Sequence, residues 1–427
     1  MADVQPVAEP TSSRSAGVRD ARVPHPRAVG ADRLPPRTVD VAVVGGGCSG
    51  LAVAGELSRR APELEVLVLE GRTRPDPRVW CSWDDGSDPV PEARSASWDR
   101  WEVRTRAGIS TGTDPDHPYR MVRAEDRREA VDRRLAESRV AVVDGAAVHD
   151  FDRRAHDGRH VLQTGAGTVE ARLVVDATGH DPLPSPQHGA VLLHQRFVGL
   201  WISTARPVFD PTTVTLMDFT DAPDDQVRFV YVLPVSPTEA LVESTVFTPE
   251  RRSSIDFRAH VRDYVHRRWG LEPHEWTVTG SESGCVPMTD AAPPRPGGDA
   301  TIATVAGVVR PSSGYGYARA HRHAPTVVDH LLDGTPAPAF RDTWRTRALD
   351  AVFLRFLRDR PDAAPEAFRR LFTLPGPLVV RFLTERSTPR DELRIVLVLP
   401  KAPFVAALLR TVRETCVARW RRSACRA

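Results

Sequence analysis

Hydrophobic positions change their period along the chain, and the changes mark its parts. Val39-Asp40-Val41-Ala42-Val43-Val44 is a nearly unbroken β-branched run. It reads as a parallel strand buried on both faces. Gly45-Gly46-Gly47-Cys48-Ser49-Gly50 follows, then a helical spacing over residues 51–60 and a second apolar strand at 64–69. Residues 123–135 read as a charged helix with Ala130, Val131 and Leu135 on one face. Residues 140–148 read as a strand, and 161–163 with 169–171 as hairpin arms around Gly165-Ala166-Gly167. Leu173-Val174-Val175 is another buried strand, ending in Asp176-Ala177-Thr178-Gly179. Past Gly189 the period becomes two. Runs at 191–198, 199–204, 214–219, 228–234 and 240–247 predict an antiparallel sheet. A helix is expected at 316–332. Helical spacing then dominates to the end, at 340–357, 368–374, 378–383 and from Pro403 on.

The first strand, glycine turn, helix and second strand carry chemistry together. Gly45, Gly47 and Gly50 stand in the G-x-G-x-x-G spacing, and Glu70 closes the second strand 20 residues past Gly50. Gly45 permits the turn, Gly47 lets a pyrophosphate reach the backbone, and Gly50 lets helix and strand pack closely. The helix N-terminus offers free N–H groups to phosphate, and Glu70 can accept ribose hydroxyls. Asp176 and Gly179 end a strand where the chain can pass close to a bound dinucleotide. Gly314 and Tyr315 open the helix at 316–332, whose N-terminus can face the same ligand.

Composition narrows the class. A chain of 427 residues, 41% apolar and 27% charged, has room for two or three domains. A net charge of +2 gives no pull on nucleic acid. Five cysteines with no CxxC pair argue against a zinc site or disulfide framework and for a reducing compartment. No apolar run reaches the ~18 residues of a membrane span. Residues 1–37, with six arginines and four acids among Pro, Ser and Ala, read as a disordered tail.

Three stretches admit two readings each. Trp80 and Trp83, in a polar segment between Gly- and Pro-rich flanks, either line a flat ligand or anchor the core. On Leu241-Val242-Glu243-Ser244-Thr245, Glu243 shares a face with Leu241 and Thr245. If that face is apolar, desolvation keeps the carboxyl protonated and suited to general acid work; otherwise it is a solvated strand glutamate. The last helix carries Val405, Leu408, Leu409, Val412, Cys416 and Trp420 at helical spacing. Seven basic residues against Glu414 alone fit an anionic bilayer surface, or equally a helix docked on the core.

Taken together, these residues resemble the FAD-dependent lycopene cyclases of bacteria and plants, over about residues 39–409. The resemblance rests on the fingerprint with Glu70, the tryptophan segment, Gln195 with Gly199, and Leu216-Met217-Asp218. It rests also on Phe229-Val230-Tyr231-Val232-Leu233-Pro234, the Glu243 strand and Pro311-x-x-Gly314-Tyr315. Gly307-Val308 stands where hydroxylase-type FAD proteins carry Gly-Asp, which is similar to the cyclases too. The cyclase motif has Glu or Asp after the catalytic Glu; here Ser244 stands there.

The resemblance implies an α/β fold: a Rossmann-type FAD-binding domain, an inserted, mostly antiparallel substrate sheet and a C-terminal helical region. The corresponding segments are a tail at 1–37, FAD-binding parts at 38–188 and 281–335, the sheet at 189–280, and a helical, membrane-facing part at 336–427. Reduced FAD is the implied cofactor, held at Gly45, Gly46, Gly47, Gly50, Glu70, Asp176, Gly179, Gly314 and Tyr315, with NAD(P)H as reductant and no metal. Glu243 is the implied acid, and Trp80, Trp83, Asp218 and Tyr231 the pocket wall. The implied reaction closes lycopene or a related acyclic carotene to β-rings without net redox change. The implied place is cytoplasmic, peripheral on the inner face of the cell membrane. A monooxygenase or prenyl-chain reductase on the same fold is the alternative, and a non-catalytic carotenoid carrier a third.

Overall fold

The apolar run at the start of the chain becomes the centre of a sheet. The computed structural model describes residues 37–424 apart from 75–76, 151–153, 180–188, 252–253, 294–298 and 303–306, and gives no side-chain description for Thr301 and 418–424. The expected tail before Arg37 and the stretch 303–306 therefore lie outside the described residues.

The chain runs through β1 (Arg37–Val44), α1 (Cys48–Arg60), β2 (Val66–Glu70), β3 (Val79–Trp83), β4 (Ala96–Trp98), β5 (Arg100–Thr105), β6 (Gly108–Thr113), β7 (Tyr119–Arg123), α2 (Ala124–Leu135) and β8 (Val140–Asp144). Then come β9 (Val148–Asp150), β10 (His160–Thr164), β11 (Gly167–Asp176), β12 (Leu192–Thr204), β13 (Thr213–Asp218), β14 (Val227–Pro234), β15 (Glu239–Thr248), α3 (Phe257–Trp269), β16 (Trp276–Thr289) and β17 (Ala300–Thr301). The helices α4 (Tyr317–Leu332), α5 (Trp344–Asp359), α6 (Ala364–Leu371), α7 (Gly376–Leu383), α8 (Pro389–Val398) and α9 (Lys401–Ala424) complete it.

In the first sheet β8, β2, β1 and β11 lie parallel in that order, with β17 beside the end of β11. Val41, Ala42 and Val43 are wholly buried, because α1 and α4 cover one face and a second apolar cluster the other. That is why β1 shows no alternation. The second sheet has the order β16-β12-β15-β14-β13-β5-β6 and is antiparallel except where β13 meets β5. Its back face, with Leu200, Ile202, Val230, Val232 and Val242, packs on Val261, Tyr264 and Val265 of α3. Each fully buried side chain of this kind contributes ~1.5–3 kcal/mol. A small sheet, β3-β7-β4, sits between the two.

Several expectations need correction. The strands read at 191–198 and 199–204 are one strand, β12, because Gly199 continues it instead of breaking it. The tryptophan segment is strand β3, paired residue by residue with β7. The substrate sheet also recruits β5 and β6 from the segment assigned to the dinucleotide half, and β16 from across the boundary at 280. Helices α3 and α8 went unread. The first of the C-terminal helices starts at Trp344 and not at 340, with Thr343 as its N-cap.

The helical end is fastened by charge as well as by packing. Arg355 on α5 is almost fully buried. It reaches Asp290 after β16, Glu414 on α9 and the Gly189 carbonyl, each at 2.6 Å. Phe356 stacks on Phe404 of α9 at 4.2 Å between centroids. Arg355→Ala strands two carboxylates in partly buried positions, and a loss of about 3 kcal/mol is expected. Denaturant unfolding should show it, together with faster proteolysis within 401–424. Unchanged stability and protection would mean that the aromatic stack alone holds α9.

Candidate active site

The glycine turn is built by contacts that exclude side chains. Gly45 has φ +106°, and a Cβ there would lie 2.8 Å from the Ala177 carbonyl oxygen. At Gly50 it would lie 1.9 Å from the Gly45 carbonyl oxygen. The Gly46 N–H donates to Glu70 Oε2 at 2.8 Å, and the other carboxylate oxygen accepts from the Arg72 N–H at 2.8 Å. Gly47 is different: a Cβ there would meet nothing within 4 Å. It faces open space at the N-terminus of α1, whose first turn has no capping side chain and no acid.

A buried arginine and histidine stand at this opening. Arg127 on α2 donates to His321 Nε2 at 2.9 Å and to the Cys48 carbonyl at 3.4 Å, while its Nε and Nη1 have no partner. Burial and the Arg127 charge push the His321 imidazole well below its ordinary pKa, so it is neutral and accepts from Arg127. Gln195 Oε1 is buried without a partner, and a Cβ at Gly314 (φ +72°) would lie 2.4 Å from it. An open glycine cradle beside a guanidinium with two unpartnered nitrogens offers the donors that a dinucleotide pyrophosphate requires. Asp176 accepts from the Thr178 N–H (3.0 Å) and hydroxyl (2.6 Å), shaping the turn after β11, and Gly179 beyond it is uncrowded.

The front face of the second sheet carries the other half of the chemistry. Strand register puts Glu282 (β16), Gly199 (β12), Glu243 (β15) and Tyr231 (β14) in one row. Alternation makes that row share a face with Phe197, Phe229 and Phe247. Burial and the Glu282 charge raise the Glu243 carboxyl well above the usual range, while the Thr245 hydroxyl, donating to its Oε1 at 2.9 Å, works the other way. Cys81 on β3, Tyr119 on β7, Tyr231 and Tyr315 close the row, and burial raises all four. The three phenols are close enough to influence one another's proton affinity.

A cavity of about 280 Å³ opens from Gln195, Phe229, Tyr231, Phe247 and Tyr315 toward α8 and α9. Its inner wall includes Tyr231, the cross-strand neighbour of Glu243. Glu243 itself does not line it. Phe353, Phe368, Phe372 and Phe382 from the helical region form the far wall, and Val396, Lys401, Val405 and Leu408 the mouth.

The residues anticipated from sequence fall into three places. Glu243, Tyr231, Tyr315 and Gly314 come together. Trp80 lies on the dinucleotide side, 5.8 Å from Tyr317 and beneath Arg127. Trp83 is a core anchor, 2% exposed and edge-on to Trp101 at 4.6 Å. Asp218 faces the opposite side of the sheet, where it accepts from the Tyr264 hydroxyl at 2.8 Å and pairs with Arg104 at 3.3 Å. Neither Trp83 nor Asp218 lines the cavity, because strand alternation and core packing turn them away. Ser244 also faces backward, to His260 at 2.6 Å. Glu282 was missed. Its signal was Gly280-Ser281-Glu282-Ser283-Gly284, a strand face whose two glycines leave room for the rings of Trp201 and Phe197.

A glycine-cradled dinucleotide half joined to an aromatic sheet face defines a flavoprotein scaffold of Rossmann type. Its likeness to solved flavoproteins is one of fold. A geranylgeranyl bacteriochlorophyll reductase-like protein from Thermoplasma acidophilum superposes with a TM-score of 0.55 at 14% identity, over 88% of this chain and 100% of that one. The flavin-dependent monooxygenase PieE gives a TM-score of 0.51 at 16% identity, over 89% and 72%.

Sequence comparison is more specific. The family model described as lycopene cyclase protein matches residues 40–409, and the chain belongs to that family. A lycopene beta-cyclase of Paracoccus sp. is 28% identical over 87% of this chain and 96% of its own. An uncharacterized carotenoid cyclase of Deinococcus radiodurans is 31% identical over 68% and 70%.

Gly47→Val puts a branched side chain into the open cradle, where its Cβ meets no protein atom within 4 Å. The variant should fold and fail to bind FAD on anaerobic reconstitution, while wild type binds it. Flavin fluorescence quenching and the visible spectrum read the difference. A wild type that takes up no FAD under these conditions, or a Gly47→Val variant that takes it up equally, would remove this cradle as the site.

Proposed function

We propose that the chain cyclises the acyclic end groups of lycopene, or of a closely related carotene, to β-rings in carotenoid biosynthesis. The observation that carries this is a carboxyl held neutral on an aromatic sheet face that also meets the dinucleotide half. Family membership and the lycopene beta-cyclase relatives support the substrate class.

FAD would be held by the Gly45–Gly50 turn, Glu70, Arg127 and the Gly314 loop, with NAD(P)H as the source of its electrons. In reduced form it supplies electron density beside a cationic intermediate. The protein's own residues do the rest. Glu243 donates its proton to the terminal double bond, forming a C–H bond and a tertiary cation. The next double bond attacks, closing a six-membered ring. A ring C–H bond then breaks and its proton returns to the Glu243 carboxylate, so product and substrate have equal mass. Phe229, Phe247 and Tyr231 offer π faces to the cation and exclude the water that would trap it.

The route in runs along the cavity. Leu393, Val396 and Leu397 on α8 and Val405, Leu408, Leu409 and Val412 on α9 are 48–66% exposed, and Val396, Val405 and Leu408 among them line the cavity. One side of α9 is docked through Phe404 and Glu414 while the other presents this apolar surface. The docked reading of the last helix holds for the first face, and the bare apolar face supports the bilayer reading. Among the described residues no helix is long and apolar enough to cross a membrane. We place the protein peripherally, on the cytoplasmic leaflet, with the mouth against the lipid that dissolves the carotene. The side chains of Arg419, Trp420, Arg421 and Arg422 lie outside the described residues.

Glu243→Gln keeps shape and hydrogen bonding but has no acidic proton. It should retain FAD and lose ring formation by ~10²–10⁴-fold or more. In D₂O the wild type should place deuterium in the new ring. Pigment analysis in a lycopene-producing host and mass spectrometry of the product decide it. Oxygen consumption or a product heavier or lighter than substrate would indicate the monooxygenase or reductase chemistry of the fold's other members. Ligand binding without turnover would indicate a carrier. For the membrane, Leu397→Glu with Leu409→Glu and Val412→Glu should weaken liposome cosedimentation. Unchanged binding by the folded variant would sink that placement.

A further inference from the structure

The group that decides whether Glu243 keeps its proton is on another strand. Gly199 pairs with Glu243 on one side and with Glu282 on the other. Lacking a side chain, it leaves the two carboxyls facing each other across β12. A methyl group at Gly199 would stand 3.1 Å from Glu282 Cγ and 3.5 Å from Glu243 Cβ. The Glu282 carboxyl is near enough that its charge, with burial, raises the proton affinity of Glu243. Glu282 is 4% exposed.

Their other partners break the symmetry. Glu282 Oε2 accepts from the Val79 backbone N–H at 2.9 Å. An amide can only donate, so it favours a carboxylate at Glu282. Glu243 Oε1 meets the Thr245 hydroxyl at 2.9 Å, and a hydroxyl can turn to serve either protonation state. Two adjacent carboxyls cannot both ionise cheaply, so the pair holds one proton, and it resides on Glu243. Cys81 on β3 and Tyr231 on β14 stand beside the pair, with Tyr119 on β7 and Tyr315 ahead of α4 next to them, and burial keeps all four neutral.

We propose that Glu282 is a positioning residue for the acid step: its anion, pinned by the Val79 amide, holds the proton on Glu243 and orients it as the donor. This role rests on the reading of Glu243 as the acid. It supplies from β16 the second carboxyl that Ser244, turned to the back of the sheet, does not. It also serves the end of the reaction. Once Glu243 has given up its proton, two anions face each other, and the pair is a base strong enough to recover the proton lost by the ring. One proton leaves and one returns, with no oxidant or reductant consumed.

The first measurement needs no substrate. The infrared carbonyl band of the neutral carboxyl, identified by its absence in Glu243→Gln, is titrated in the holoprotein. In Glu282→Gln it should disappear at a pH lower by about one unit or more than in wild type. Glu282→Asp, which keeps the charge, should remain nearer wild type. The alkaline limb of the cyclisation rate should move the same way, which a merely structural role would not produce. If Glu282→Gln does not fold, Gly199→Ala, whose methyl spreads the carboxyls, should shift the band in the same direction. A band that titrates with wild type in the folded variant overturns the role of Glu282. A Glu243→Gln protein that still cyclises overturns the acid reading instead, so the two failures are told apart.

Discussion

A carboxyl that must stay protonated inside a protein needs both an apolar surround and a neighbour that opposes its charge. The row Glu282-Gly199-Glu243-Tyr231 meets both needs at once. Aromatic and aliphatic side chains above and below exclude water, and the absent side chain at Gly199 lets two acids approach. The surrounding architecture depends on this constraint. Strand β12 runs uninterrupted through its glycine, and β16 carries Glu282 near its centre, alongside Gly199. Glycines at 280 and 284 give the rings of Trp201 and Phe197 somewhere to lie.

The cavity in front of that row is an assembly of distant segments, and buried ion pairs hold them. Arg310 reaches the Phe382 carbonyl at 2.9 Å and Asp350 at 3.4 Å, tying the loop before α4 to α5 and α7. Arg319 on α4 is 2% exposed and takes both oxygens of Asp342 at 2.8 and 2.9 Å, with Glu385 as a further partner. Arg322 joins Glu385 to Asp85 beyond β3. Glu385 sits at φ +66°, a position a non-glycine residue adopts only when its surroundings enforce it, and here two arginines do. Arginine suits this work because its planar fork satisfies several acceptors when buried. These buried arginines act as internal clamps between distant segments.

Legibility varied with how local the cause was. The dinucleotide half was readable because its glycines, its helix start and Glu70 lie within one strand–turn–helix–strand unit whose geometry demands those residue types. The run of strands was readable from alternation, but Gly199 looked like a break because its reason lies on β15 and β16. Trp83 and Trp80 looked alike in sequence, three residues apart. One is buried against Trp101, and the other faces Arg127 and Tyr317.

The sequence by itself determined the fold class and the family, and it pointed to the cofactor cradle and to one acid, since each follows from short-range spacing or from motif resemblance. Only the tertiary structure decided which side each strand residue faces, and so turned Asp218 and Trp83 away from the cavity and brought Glu282 beside Glu243. It also decided that the last helix is docked on one face and bare on the other. The physical reason is the same throughout. Period-two alternation tells which residues share a face, but not which face is covered. Pairing register between strands far apart in the chain leaves no mark on either strand alone.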